Sequence, residues 1–125
     1  MAIGLVLALH AFLLLTSGYR IPQIDTPMHF LGGFVMAMLG LAIHHGVASR
    51  YHTKHSPAWY HYTFVIGFAM LVGVAWEFHE YVLDQTINAW YNLPLSQLSL
   101  TDTMKDFLMD WLGASVAFVA LKKQL

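Results

Sequence analysis

The chain has no cysteine, which removes disulfides and thiolate chemistry and leaves the redox compartment undecided. It is short of charge as well. Only 10% of its 125 residues are charged, where a soluble domain carries about 25%. Six Lys and Arg against seven Asp and Glu supply no basic stripe, so nucleic acid is excluded as a partner. A Gly-x-Ser-x-Gly elbow, a P-loop and a His-Glu-x2-His pair are also missing, and with them the chemistries those motifs carry. No internal repeat or low-complexity tract divides the sequence, and its length suits one domain, 1–125.

What fills the space is apolar: 58% hydrophobic residues and a mean hydropathy of +0.55. This composition predicts an all-α protein, an integral membrane four-helix bundle, with the lipid bilayer as its first partner. Helices are expected over about 3–18, 24–47, 59–83 and 101–121, against the roughly 20 residues that a crossing needs. The first run is short, and a signal peptide is its rival reading, with Thr16 and Gly18 as small residues before a cut. Its leading residues hold no Lys or Arg, unlike the basic start of a signal, so it is taken as a helix. Asp25 or Thr26 caps the second helix, with Pro27 at the first helical position. Residues 48–58 read as a polar loop, and 84–100 as a loop with a short interfacial segment between helices 3 and 4. Ser99 with Asp102, or Thr101, starts the fourth helix, which ends at Lys122 and Lys123.

Charge orients the bundle. Four crossings put both termini and the 48–58 loop on one side, with Arg50, Lys54, Lys122 and Lys123 and no acid. Asp25, Glu77, Glu80, Asp84, Asp102, Asp106 and Asp110 fall toward the other side, beside Arg20 and Lys105. Positive-inside counting makes the first side cytoplasmic. The expectation is therefore a multi-pass protein of a prokaryotic inner membrane, N-in/C-in, with its acidic end on the outer face.

Those acids are organised. Asp102, Asp106 and Asp110 follow one another at steps of four, an arc of about 80° at 100° per residue. The same face continues through Gly113, Ala117 and Ala120, small residues that let helices approach closely in lipid. Helix 2 lines up Asp25, His29, Gly32, Gly33, Met36 and Gly40, and helix 3 lines up Ala69, Gly73, Glu77 and Glu80. His29, Glu77 and Asp106 each lie roughly 7–9 Å below the acidic ends of their helices. Asp110 is deeper, and Asp25, Glu80 and Asp102 are nearer the surface. A carboxylate in hydrocarbon costs about 2.5–3.5 kcal/mol even on insertion scales, so a proton, a cation or a partner must compensate each one.

A divalent metal ion is the simplest compensation, because it neutralises two carboxylates at once. One imidazole among oxygens suits Mg²⁺, Mn²⁺ or Ca²⁺, and also Zn²⁺ or Fe²⁺. The expected ligands are His29, Glu77, Asp106 and Asp110, with Asp25, Glu80 and Asp102 around them. Glu77 and Asp106 are the candidates for acid–base work, on hydrolysis or transfer of a lipid-linked phosphate. The rival is a non-catalytic subunit or assembly factor, docked on other membrane subunits or on its own copies, whose acids form a structural network with Tyr81, Thr103 or Lys105. A proton or ion pathway is third, since the other halves of helices 3 and 4 are apolar. Histidines 44, 45, 52, 55 and 61 match no standard zinc spacing and read as solvated, and His10 reads as a neutral histidine bonded to a neighbouring helix. The four-step spacing of Asp102, Asp106 and Asp110 is similar to half of a CDP-alcohol phosphotransferase signature, but the other half is missing.

Taken together, Asp25-x3-His29-x2-Gly32-Gly33, Trp76-Glu77-x2-Glu80 and Asp102-Thr103-x2-Asp106-x3-Asp110-x2-Gly113-Ala114 resemble the YjdF-type inner-membrane proteins. They are more loosely similar to VanZ-like membrane proteins. The likeness covers helices 2–4. It implies a compact bundle with a polar centre and, since YjdF-type proteins are usually longer, a missing peripheral helix pair. It implies no particular reaction.

Overall fold

The computed structural model of the protein describes residues 1–21, 23–51 and 57–121. Four main helices make up the fold: α1 (Ala2–Leu15), α2 (Asp25–Tyr51), α3 (Ala58–Leu83) and α4 (Leu100–Leu121). No strand occurs among the described residues. Pro22, the centre of the 48–58 loop (His52 and His55 included) and the helix-ending Lys122 and Lys123 lie outside them. So does Lys54, on which the charge orientation also leans.

The boundaries have local causes. α1 stops at Leu15, three residues short of expectation, because Ser17 takes a left-handed conformation (φ 58°) and a 3₁₀ turn, Gly18–Arg20, follows. Asp25 and Thr26-Pro27 open α2, with the carboxylate against the positive end of the helix. Ser99 caps α4 as expected, its hydroxyl accepting from the Asp102 amide at 3.2 Å. The larger departure follows α3. Residues 84–91 do not loop out at once but prolong the helix through a π-helical turn, Asp84–Asn88, and a last piece, Ala89–Tyr91. The chain then reverses at Asn92, in a left-handed conformation.

Packing is inverted relative to a soluble bundle. Ala37, Ala69, Ala114 and Ala117 fill the interior with Leu41 and Ile66, and Val65 is the largest side chain that is wholly buried. Leu5, Phe12, Leu71, Phe78, Val82, Leu108 and Val119 stand exposed. Asp25–Arg50 and Ala58–Tyr91 are long and apolar enough to cross a membrane, yet only 28% and 22% of their apolar windows are buried within the bundle. A core helix of a soluble protein would bury most of such a stretch.

α2 and α4 approach most closely where each offers a glycine. A Cβ at Gly33 would overlap the backbone carbonyl of Asp110, and one at Gly113 would overlap the carbonyl of Phe30. Backbone meets backbone there, the arrangement that small residues permit between helices in lipid. Of the small stripe on α4, Gly113 and Ala117 are buried and Ala120 is exposed. At the end away from the acids, His44 and His61 are half-buried, their rings edge to face at 4.6 Å and flanked by Tyr60 and Phe64. They are aromatic packing residues of α2 and α3, not the solvated loop residues their spacing suggests.

Candidate metal centre

Each helix delivers its polar residue on the face that the sequence pattern assigns. His29 is 5% exposed, Glu77 5%, Asp106 2% and Asp110 4%, so all four expected ligands point inward. His29 from α2 is the hub. Its Nδ1 lies 3.4 Å from Asp110 Oδ2. Its Nε2 lies 3.6 Å from Asp25 Oδ2, one turn earlier on the same helix, and 3.7 Å from Glu77 Oε1 on α3. Asp25, His29 and Asp106 each offer a ligand atom within 4.8 Å of the others. Among the described residues no other group of three such side chains comes this close.

Depth sorts these contacts into roles. Asp110 reaches His29 because Gly73 leaves the room, since a Cβ there would collide with its carboxylate. Carboxylate oxygens face both ring nitrogens, Asp25 and Glu77 at Nε2 and Asp110 at Nδ1. This is the carboxylate–histidine pairing that orients an imidazole for a metal. Asp110 stands on the Nδ1 side of the ring, and Asp25 stands with Glu77 on the Nε2 side.

The surrounding acids divide the same way. Glu80 accepts a hydrogen bond from Trp76 Nε1 at 2.9 Å, and Asp102 holds Lys105 at 2.6 Å. Each has its own partner and neither is needed to build the cluster. Lys105 also stands 3.7 Å from Asp106. Glu77 receives one further bond, to Oε2 from Gln97 Nε2 at 2.9 Å. Gln97 is held in turn by Asp84, whose carboxylate accepts from the backbone amides of Ser96 and Gln97 at 2.8 and 2.9 Å and from Asn88 at 2.6 Å. Gln97 and Asp84 are the residues that sequence reasoning missed. The signal for Asp84 was an acid directly after an apolar helix, a weak one.

After these bonds are made, His29 Nε2, Glu77 Oε1 and Asp106 Oδ1 remain buried without a hydrogen bond. A buried polar atom left so is costly. The donor set fits a metal: two ligand atoms about 2.1 Å from one ion stand about 3–3.5 Å apart, close to the 3.6 and 3.7 Å separations around Nε2.

Beside this cluster α1 leaves a cavity of about 200 Å³ against α2 and α3. His10 and Tyr19 stand on its wall, joined by a bond of 2.5 Å between Nδ1 and the phenol oxygen, and the His10 ring meets Trp76 edge to face at 5.0 Å. Burial, then the charges of Asp25 and Glu80, push the Tyr19 hydroxyl up to about 12, so it stays protonated. The partner of His10 thus comes from its own hairpin, with α3 supplying only the ring contact.

No curated protein and no solved structure matches the chain. A family model described as "Predicted membrane protein (DUF2238)" matches residues 2–125, so the likeness takes in α1 as well as the three helices that carry the motifs. This is the YjdF-like family of the motif resemblance; the likeness to VanZ-like proteins gains no support. The chain belongs to the DUF2238 family of predicted membrane proteins.

Proposed function

We propose that the protein is a multi-pass membrane protein that holds a divalent cation between His29, Asp25, Glu77 and Asp106 at one end of its bundle. The observation that carries this reading is the close Asp25–His29–Asp106 group, with His29 Nε2, Glu77 Oε1 and Asp106 Oδ1 each buried and none hydrogen-bonded. Hard oxygens with one imidazole suit Mg²⁺, Mn²⁺, Zn²⁺ or Fe²⁺. Such an ion, when bound, polarises a phosphoryl oxygen and lowers the pKa of a water. Asp110 orients His29, and Gln97 holds Glu77 in place. Any proton transfer falls to Glu77 or Asp106.

The apolar exterior, the interior of small residues and the family's description support insertion in a membrane. A four-crossing reading of the sequence assigns Arg50, Lys54, Lys122 and Lys123 to one side and the acids to the other, and on it the positive-inside rule puts both termini in the cytoplasm and the cation site at the outer face of a prokaryotic inner membrane. The rival reading, a non-catalytic subunit with a structural acid network, accounts for Glu80, Asp84 and Asp102, each satisfied by its own partner. It reaches His29 Nε2, Glu77 Oε1 and Asp106 Oδ1 only through ion-pair contacts of 3.6–3.7 Å and not through hydrogen bonds.

Metal analysis of the protein purified without chelator tests the proposal. About one divalent ion per chain is expected, lost in the Glu77→Gln, Asp106→Asn double variant while helical content is kept. Equal metal content in the two proteins rejects the site.

A further inference from the structure

The cavity between α1, α2 and α3 has two ends of opposite character. Asp25, His29 and Asp110 line one end. His10, Tyr19 and Trp76 also border the cavity, and Val6, Leu7, Met36 and Val72 are among the apolar residues of its wall. Along α2 the lining runs from Asp25 to Met36, about 16 Å at 1.5 Å per residue. A volume of about 200 Å³ drawn out over that length is narrow; an apolar cavity of about 150 Å³ holds a single benzene ring. The slot is therefore long, one chain wide, greasy for most of its length and polar at the tip.

It is also partly open. α1 rests on α2, and toward α3 the cavity separates the two helices, bridged at the acidic end by the rings of His10 and Trp76. The polar tip is the same Asp25–His29 pair that faces the cation site, so a group at the tip lies next to that ion. A hard divalent cation held by carboxylates commonly completes its shell with phosphate oxygens.

We infer that this slot takes the single hydrocarbon chain of a membrane amphiphile bearing a phosphate head, with the head at the Asp25–His29 tip against the cation. The chain supplies apolar contact, about 0.8 kcal/mol for each buried CH₂, and the ion supplies the choice of head group. The inference rests on the cation reading for its head-group half. The chain half rests on the cavity alone.

The two halves separate in one experiment. The protein is purified in a steroid detergent too broad for the slot, and its thermal midpoint is followed against dodecyl phosphate, butyl phosphate and dodecyltrimethylammonium. Dodecyl phosphate is expected to raise the midpoint at concentrations where the other two do not. Val72→Phe and Val6→Phe, which fill the slot from opposite walls, are expected to weaken that binding at least tenfold while metal content stays unchanged. Equal response to butyl phosphate, equal response to the cationic amphiphile, or undiminished binding in both filled variants overturns the inference. If the wild-type protein carries no metal, the cation reading falls with the head-group half. Chain binding that the two fillings abolish would then still support the slot.

Discussion

Nδ1 of His29 lies 3.4 Å from Oδ2 of Asp110, and that contact decides what the other side of the ring can do. In the proposed metal site Asp110 accepts from Nδ1–H, and Nε2 gives up any proton to the incoming cation. Replacing such a partner typically costs 10–100-fold in metal affinity. Asp110→Asn is therefore expected to keep the fold and bind Mn²⁺ about 10–100-fold more weakly, while Asp106→Asn, which removes a ligand, should lose more. Titration followed by electron paramagnetic resonance reads both. If Asp110→Asn binds as tightly as the wild type, the orienting role assigned to this carboxylate is wrong.

The α2–α4 contact is held by glycines with no room for a methyl group. At Gly33 and Gly113 a Cβ would sit on the backbone carbonyl of the facing helix, and a backbone cannot turn aside as a side chain can. Gly33→Ala and Gly113→Ala are each expected to destabilise the bundle by about 1–3 kcal/mol, the usual range for overpacking. Gly67, on the exposed face of α3 with nothing within 4 Å of a Cβ, is the control. There alanine should be neutral or stabilise by up to about 1 kcal/mol through helix propensity. Unfolding with sodium dodecyl sulfate in mixed micelles measures all three, and equal effects at Gly33 and Gly67 would dismiss the close-contact account.

Much of the site could be read from spacing, because in helices of this depth a polar residue has one comfortable direction, inward. That is why His29, Glu77, Asp106 and Asp110 are all buried as the four-step pattern implied. Which ring nitrogen each carboxylate meets was not legible. It depends on which way the His29 ring turns, and helical spacing carries no information on that. Asp84 and Gln97 were hidden for another reason. The stretch 84–100 mixes turn formers with Trp90, Tyr91 and leucines, and only the π-helical turn after α3 shows that its one acid, Asp84, is buried. His44 and His61 misled by the same rule: histidine near a polar loop resembles a solvated residue until a facing helix supplies an aromatic neighbour.

Asp84 ties the connection between α3 and α4 to the end of α3 with three accepted bonds, and through Gln97 it reaches Glu77. Removing the carboxylate strands the Ser96 and Gln97 amides together. A lost bond to a charged group is worth about 1.5–3 kcal/mol, so Asp84→Ala should speed hydrogen exchange at those two amides by roughly 10–100-fold. Exchange in the α2–α4 core should be unchanged, since Ala114 and Ala117 are distant from the clasp in sequence and packed on other residues. Uniform acceleration across the chain would mean that Asp84 supports the whole fold and not the connection alone.

The absence of cysteine makes the orientation directly testable. Ser49 near the end of α2 and Gln85 beyond α3 are both exposed, and the proposed topology assigns them to opposite sides of the membrane. With all seven acids toward the Gln85 side and Arg50 beside Ser49, the positive-inside rule places Gln85 outside. A single cysteine at each position, Ser49→Cys or Gln85→Cys, can be exposed in intact cells to a maleimide that does not cross membranes. Gln85→Cys is expected to label before lysis and Ser49→Cys only after it. The opposite pattern would put the carboxylate cluster at the cytoplasmic face, where it would draw on cytoplasmic ions and the inner leaflet. Labelling of both from outside would show that α2 and α3 do not span the membrane as a pair, and the burial of four carboxylates in lipid would lose its premise.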